Sequence, residues 1–474
     1  MLCRIVICLA MCVAASATFA DDNWPRFRGP NGSGVSESQH PPVQIDRDSM
    51  LRWKVAVPKG LSSPCVWGKD LFLTAVEDGK LWTLAYDCGD GHLLWRAEAP
   101  AKEFEKFHAI EGSPAASTCA TDGQRVVTYF GSCGILCYDF QGHLLWKHEL
   151  PVAQTHYDFG TGTSPVLADG LVILVRDQKN APAILALDAE TGEERWKRER
   201  QNVPTAFSTP MITGQGKEMQ LIVAGALRMK AYDLHSGKEL WVLRGLPSAN
   251  CTSPVTDGKR LYFAGWSPGS DSLMPSYDDL LKQFDANKDG ILEKAEMEKS
   301  FLKDFFDAND TNHDGKLTRD EWDANLSYMK QGKNSLLAVT AKGEGDITDT
   351  AIDWKHTKGL PYVPSPLFYR GRIFLVRDGG LASCYDAEKG QTIYENKRLG
   401  ASGKDYASPV AAGGYIFIVS LADGVISAID AASDNPEVAA QRKLDERVAA
   451  TPAIAGNRLY VRGGQHLYCF GAGE

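Results

Sequence analysis

Two stretches of this 474-residue chain are built to hold a hard cation. The first runs Asp285, Asn287, Asp289, Gly290 and Glu296; the second runs Asp310, Asn312, Asp314, Gly315 and Glu321. Both follow the twelve-position pattern Asp-x-(Asp/Asn)-x-(Asp/Asn)-Gly-x5-Glu. Calcium takes six to eight oxygen ligands, and this spacing provides them. Positions one, three and five each offer one side-chain oxygen, and the glycine at six makes the sharp turn. Position seven gives a backbone carbonyl, here of Ile291 and Lys316. Position nine, Glu293 or Thr318, contributes directly or through water. The closing Glu296 and Glu321 bind with both oxygens. Two calcium ions are therefore expected.

A stray acidic surface loop would not come twice in tandem with apolar residues at helical spacing on its flanks, as these do (Leu280, Leu281 and Phe284; Phe305 and Phe306; Trp322 and Leu326). Position eight is apolar in both loops, Leu292 and Leu317, which suits a short strand pairing between them. Residues 267–332 carry fifteen Asp/Glu and eight Lys/Arg, a net of −7 out of −9 for the whole chain. Cation binding is expected to relieve that self-repulsion and order the segment. The loops match the EF-hand calcium loop. Their starts are only 25 residues apart, so the helices between them are either short or shared. That argues against the wide opening of sensor proteins and for a stabilising or docking role.

The elements that must position this pair are β-strands. A Ser/Thr-Pro step followed by an alternating strand recurs at Pro64, Pro114, Pro165, Pro210, Pro254, Pro366, Pro409 and Pro452. The gaps are 50, 51, 45, 44, 112, 43 and 43; removing residues 267–332 cuts the longest to 46. Eight units with one insertion remain, at a period that marks propellers and solenoids. An Asp, a Gly turn and a Trp close the first four units, as in Asp87…Gly91…Trp95 and Asp188…Gly192…Trp196. The fifth keeps Trp354 without the turn, the sixth has Tyr394, and the seventh keeps only Asp430. The eighth stops at Phe470 with no closing strand, whereas Leu51-Arg52-Trp53-Lys54 is a closing strand with no unit before it. The expected fold is all-β, an eight-bladed β-propeller of four-stranded blades with a small α-helical EF-hand insertion in blade 5, the N-terminal segment supplying the last outer strand. The Trp residues are expected to fill packing sites between blades. The domain boundaries are a signal peptide at 1–20, propeller at 21–266 and 333–474, and the inserted pair at 267–332.

The Ser-Pro strand and the Ala-x-Asp-x-x-Thr-Gly-x-x-x-Trp segment, Ala186 to Trp196, resemble the PQQ-like repeats of quinoprotein dehydrogenases and BamB-like assembly factors. The opening Asn23-Trp24-Pro-Arg-Phe-Arg-Gly-Pro30 resembles the start of secreted PQQ-like propeller proteins of planctomycete-type bacteria. The resemblance implies the fold; function rests on sites grafted onto it.

Two functions compete. One is a calcium-binding exported scaffold that binds an envelope protein, as a monomer. The other is a PQQ-dependent oxidoreductase. The dehydrogenases that the repeats resemble use a catalytic Asp, calcium on the quinone and often adjacent cysteines. This chain has no adjacent cysteines after residue 20, no CxxCH haem site, and a calcium motif outside the ring, so no PQQ and no enzyme activity are expected. Polar residues before the Ser-Pro strands (His108, Glu111, His156, Asp158, Asp405 and Tyr406) and at equivalent strand ends (Arg176, Asp177, Arg377, Asp378 and Arg462) are read as capping of the channel mouth. A ligand-binding ring is the alternative.

Arg4, an apolar run from Ile5 to Ala17 and Thr18-Phe19-Ala20 form a secretory signal cut near Ala20, which puts the mature chain in the periplasm or outside. A lipid-modified Cys12 is disfavoured by Met11 before it. No later segment is apolar enough to span a bilayer. The acidic balance and the lack of a basic stripe exclude a nucleic-acid binder. Eight cysteines remain after the signal; burial as small apolar residues is expected for most, with Cys133 and Cys137 the best candidate pair. Gly29–Gly34 are turns, not a phosphate loop.

Overall fold

The computed structural model describes residues 23–201, 206–270, 274–300 and 302–472; the predicted signal at 1–20 lies outside them. Eight antiparallel sheets of the meander type follow one another around an axis. Blade 3 is representative, with strands Val166–Ala168, Leu171–Arg176, Ala183–Asp188 and Glu194–Glu199. Its second strand is buried at every residue, because blades pack face to face and both sides of an inner strand are covered. Its outer strand is exposed except at Trp196. The core accordingly lies between blades. One cluster joins Val127, Tyr129 and Trp146 of blade 2 to Val172, Leu174 and Leu187 of blade 3.

The ring closes as the sequence predicts. Leu51–Ala56 pairs antiparallel with His466–Gly471 and completes the sheet of strands 453–455, 458–462 and 466–471. Sealing the last blade with the first strand leaves no open edge there.

The tryptophans do pack between blades, on the glycine turns of the next unit. Trp53, Trp95, Trp146, Trp196 and Trp354 lie over Gly91, Gly142, Gly192, Gly237 and Gly390. A Cβ at any of these glycines would sit 2.5–2.7 Å from the indole, and all five have positive φ. Each indole N–H donates to a carbonyl of the next blade: Cys88, Phe140, Ala189, Leu234 and Ala387, at 2.9–3.1 Å. Asp, Gly and Trp therefore recur together because the turn must bring a bare backbone against a ring. Blade 5 lacks the turn, so Trp241 turns to Gln220 Oε1 at 3.3 Å. Gly345–Asp346 then pairs in parallel with the outer strand of blade 4.

The Ser/Thr before each inner strand has a role that the spacing alone did not reveal. Each hydroxyl oxygen accepts the backbone N–H of its counterpart one blade back. The order is Ser63, Thr118, Ser164, Thr209, Ser253, Ser365, Ser408, Thr451 and back to Ser63, with all eight bonds at 2.9–3.1 Å. This hoop encircles the channel. It also corrects the landmark in the second unit. Thr118-Cys119 holds that place, while Ser113-Pro114 lies in the long connection before it, where Ser113 Oγ accepts from Ala115 N.

The N-terminal segment crosses the channel end opposite the insertion. Trp24 bridges Val66 of blade 1, Asn31 exchanges hydrogen bonds with Ile212 of blade 4, and Val35 bridges Ala411 of blade 7. It caps the exposed edges of inner strands and closes that end.

All eight cysteines described are free thiols. Cys133 and Cys137 do not pair because they face opposite sides of blade 2. Cys133 packs toward Leu81 and Ala99 of blade 1, and Cys137 toward Val172 and Leu174 of blade 3.

Candidate metal centre

The insertion leaves blade 5 between its second strand, Leu261–Gly265, and its third, Ser335–Val339. The meander puts this loop on the same face as the inter-blade connections. Its base is clamped by Asn334, whose Oδ1 accepts from Ser267 N at 2.8 Å and whose Nδ2 donates to Ser267 O at 3.2 Å.

The helices α1 (Tyr277–Phe284), α2 (Phe306–Asn309) and α3 (Arg319–Met329) frame the loops. The close spacing is accommodated by shortening. Loop 1 exits into a 3₁₀ turn at Glu296–Lys299, and loop 2 is entered through the four-residue α2. Helices α1 and α3 start in capping boxes, Ser276 with Asp279 and Thr318 with Glu321. A compact core holds them together, including Tyr277, Leu280, Leu292, Phe306, Leu317 and Trp322. Leu292 pairs with Leu317 in a two-residue ladder, as position eight predicts.

The two loops share one hydrogen-bond frame. In loop 1, Asp285 accepts from Lys288 N and Gly290 N, and Asp289 accepts from Ile291 N. Asn287 accepts from Asp289 N and donates to its carboxylate. In loop 2, Asp310 accepts from Asp314 N and Gly315 N, and Asp314 from Lys316 N; Asn312 repeats the role of Asn287. Gly290 and Gly315 have φ of 80° and 82°, which the turn requires. Glu296 reaches back over its loop to Ala286 N, Asn287 N and Glu293 N. Glu321 does the same with five donors: Thr311 N and Oγ1, Asn312 N, and Thr318 N and Oγ1. Partial burial raises the Glu321 carboxyl, but these donors outweigh it and hold it down at about 2. The oxygen-only donor sets, with a carboxylate at both ends of each loop, suit calcium and offer nothing soft for a transition metal.

The pair does not stand clear of the ring. Phe305 packs against Tyr157 and Phe159 of the blade 2–3 connection, with centroids at 5.2 and 6.2 Å. Asn325 Nδ2 reaches Tyr157 Oη at 3.5 Å, and Tyr328 Oη donates to Ser248 O at 3.0 Å. Phe159 in turn lines an axial cavity of about 210 Å³, walled by ring hydroxyls and by Phe27, Phe207, Tyr362 and Tyr406. The insertion thus leans over the channel mouth.

Only part of the predicted polar ring converges. Glu111 and Tyr406 line the cavity, and Lys404 pairs with Glu111 at 2.6 Å. His108 Nδ1 accepts from Glu111 N. His156 and Asp158 lie in the turn beside Phe305 instead, and burial lowers His156 to about 4. Asp405 is buried under Gly380 N, and burial raises it to about 7. The strand-end residues are used internally. Asp177 binds Arg200 at 2.5 and 3.0 Å, Arg377 binds Asn396, and Arg462 caps the carbonyls of Pro58 and Thr74. Reading by sequence missed Glu105, a carboxyl 1% exposed that accepts from Thr161 N and Oγ1; burial raises it to about 7 against those bonds. A lone Glu in a connecting loop carries no signal of burial.

The fold and the insertion define a repeat propeller carrying a paired EF-hand. Residues 83–267 and 333–474 match the family model described as outer membrane protein assembly factor BamB, and the chain belongs to that family. Residues 278–302 and 302–326 match the EF hand. No curated protein matches. Among solved structures, BamB from Moraxella catarrhalis is 13% identical with a TM-score of 0.55, covering 88% of this chain and 98% of its own. Quinohemoprotein alcohol dehydrogenase from Comamonas testosteroni is also 13% identical, with a TM-score of 0.58, covering 96% and 82%. The computationally designed Ika8 protein is 10% identical, with a TM-score of 0.53, covering 89% and 99%. At these identities the likeness is one of fold. Among the described residues no helix is long and apolar enough to cross a membrane.

Proposed function

We propose that this protein is an exported scaffold that binds two calcium ions in the inserted pair and a protein partner on the channel face. The observation that carries the calcium reading is the duplicated frame: in both loops the first Asp accepts from the Gly N–H and the closing Glu reaches back over the loop, and the two are joined through Leu292 and Leu317. Asp285, Asn287, Asp289, the Ile291 carbonyl, Glu293 and Glu296 would hold one ion. Asp310, Asn312, Asp314, the Lys316 carbonyl, Thr318 and Glu321 would hold the other. Calcium supplies positive charge where the module is most acidic, and the short helices favour a staple over a switch. Dissociation constants on the order of 10⁻⁴–10⁻³ M are expected, as for extracellular modules.

The scaffold reading is supported by the surface and by the size of the cavity. Phe107 and Ile110, in the blade 1–2 connection, are 38% and 69% exposed on the face that carries the insertion. The axial cavity, about 210 Å³, is smaller than the roughly 300–1,000 Å³ of common cofactor pockets. The assembly-factor name of the family fits a binder acting in the cell envelope, and the residues before Asp21 fit export.

Calorimetry on the mature chain should give about two calcium sites, abolished by Glu296→Gln with Glu321→Gln. No heat and no melting shift at millimolar calcium would remove the calcium reading. A pull-down from envelope extract, with calcium and with chelator, tests the scaffold; an empty bait in both would count against it.

A further inference from the structure

We propose that the closed end of the channel is an anion site, where Nε and Nη1 of Arg28, beside the hydroxyl hoop, hold a small anion of halide or monocarboxylate size. Arg28 is 0% exposed. Its Nη2 donates to Pro366 O at 2.6 Å, but Nε and Nη1 are buried with no hydrogen-bond partner. Two residues earlier, Arg26 repeats the situation. It is 6% exposed; Nη2 donates to Asn31 Oδ1 at 2.7 Å, and Nη1 is buried with no partner. Neither pairs with a carboxylate among the described residues. Arg200, buried as deeply, shows the ordinary solution: Asp177 on two nitrogens and Tyr232 Oη on the third.

A guanidinium does not discharge at neutral pH, so burial leaves a positive charge that must be compensated. Burial alone lowers Arg28 to about 9 and Arg26 to about 10, which still leaves both protonated. The carbonyl that binds Arg28, Pro366 O, serves Nη2 alone. Pro366, which binds Arg28, directly follows the hoop residue Ser365. Every hoop oxygen accepts an N–H, and no hoop hydroxyl donates to a described residue, so its proton remains free for a ligand. Six of the eight hoop residues line the axial cavity, as does Phe27, which sits between the two arginines in the chain. Water could accept these bonds but would bring no charge.

The Nη2 side of the arginine is closed. A Cβ on Gly34 would lie 3.0 Å from Nη2 and 3.1 Å from Pro409 O, which leaves Nε and Nη1 as the only nitrogens for an anion. With Arg28 reaching blade 6 and Val35 bridging blade 7, the anion would lock the N-terminal segment across the ring.

Crystals of the mature protein grown in sodium bromide test this directly. An anomalous bromine peak within about 3.5 Å of Arg28 Nε or Nη1 is expected; water density alone there overturns the proposal. In solution, chloride at a hundred times its dissociation constant should raise the melting midpoint by about 2–3 °C over gluconate at equal ionic strength. Arg28→Met should abolish that difference. Equal melting of the wild type in both salts overturns the proposal. Should Arg28→Met fail to fold, the bromide crystal of the wild type still decides.

Discussion

The two loops look equivalent in sequence, yet they should respond unequally to the same substitution. Glu321 accepts five hydrogen bonds and Glu296 three; the difference is the hydroxyls of Thr311 and Thr318, at 3.0 and 2.8 Å. Replacing either glutamate by glutamine turns an amide nitrogen toward donors and removes the charge. At a net of about 1 kcal/mol for each part-exposed hydroxyl bond, Glu321→Gln should destabilise its loop by about 2 kcal/mol more than Glu296→Gln does. The carboxylate is also half of the α3 capping box, in which it accepts from Thr318 N while the Thr318 hydroxyl accepts from Glu321 N, so the loss should spread along that helix. Hydrogen exchange by mass spectrometry in chelator reads this locally. Amides of 318–329 in Glu321→Gln should accelerate roughly 30-fold more than those of 285–299 in Glu296→Gln. Equal acceleration would mean that the threonine hydroxyls contribute nothing. No acceleration in either variant would mean that the carboxylates do not organise the loops without an ion, and the hydrogen-bond reasoning would fail.

Phe305→Ala should loosen the insertion from the ring, raising exchange at 155–160 while leaving the main melting transition within about 1 °C. Ser365→Ala leaves the buried N–H of Ser253 without its acceptor and should cost about 1–3 kcal/mol in denaturant unfolding, whereas Ser433→Ala on the exposed rim of blade 7 should cost far less. Glu105, raised by burial to about 7, favours its protonated form in the folded chain. Its contribution is full below the unfolded value near 4.5 and is lost as pH rises through 7. Stability should therefore fall by up to about 3 kcal/mol between pH 4.5 and 8, by a smaller amount in Glu105→Gln, as followed by urea titration. An unchanged pH profile in that variant would assign the fall to Asp405, which burial raises in the same direction.

Much of this molecule could be read from the chain alone, for reasons visible in particular residues. The repeat was legible because each unit must solve the same contacts: a hydroxyl before the inner strand, a bare glycine under the indole of the blade before. The orphan strand around Trp53 showed that the ring closes on itself, since a closing strand with no unit has one place to go. The EF-hand loops were legible because a twelve-residue loop is local; its turn is set by Gly290 and Gly315, not by distant contacts.

What the chain could not state is anything that depends on residues far apart in sequence meeting. Pro114 imitated the repeat, and only the hoop of hydrogen bonds showed that Thr118 holds the place. Cys133 and Cys137 lie close in the chain, yet the two faces of one blade send them to different neighbours. The polar residues before the inner strands shared a pattern, but burial separated Asp405 from Glu111. The arginines of the opening segment carry no mark of burial in the sequence, yet the ring encloses them. Sequence by itself determined the repeat, the closure and the EF-hand loops, because these follow from local spacing. Tertiary structure alone decided which face the insertion leans over and which charges are stripped of water, because burial is a property of the closed ring and not of any one segment.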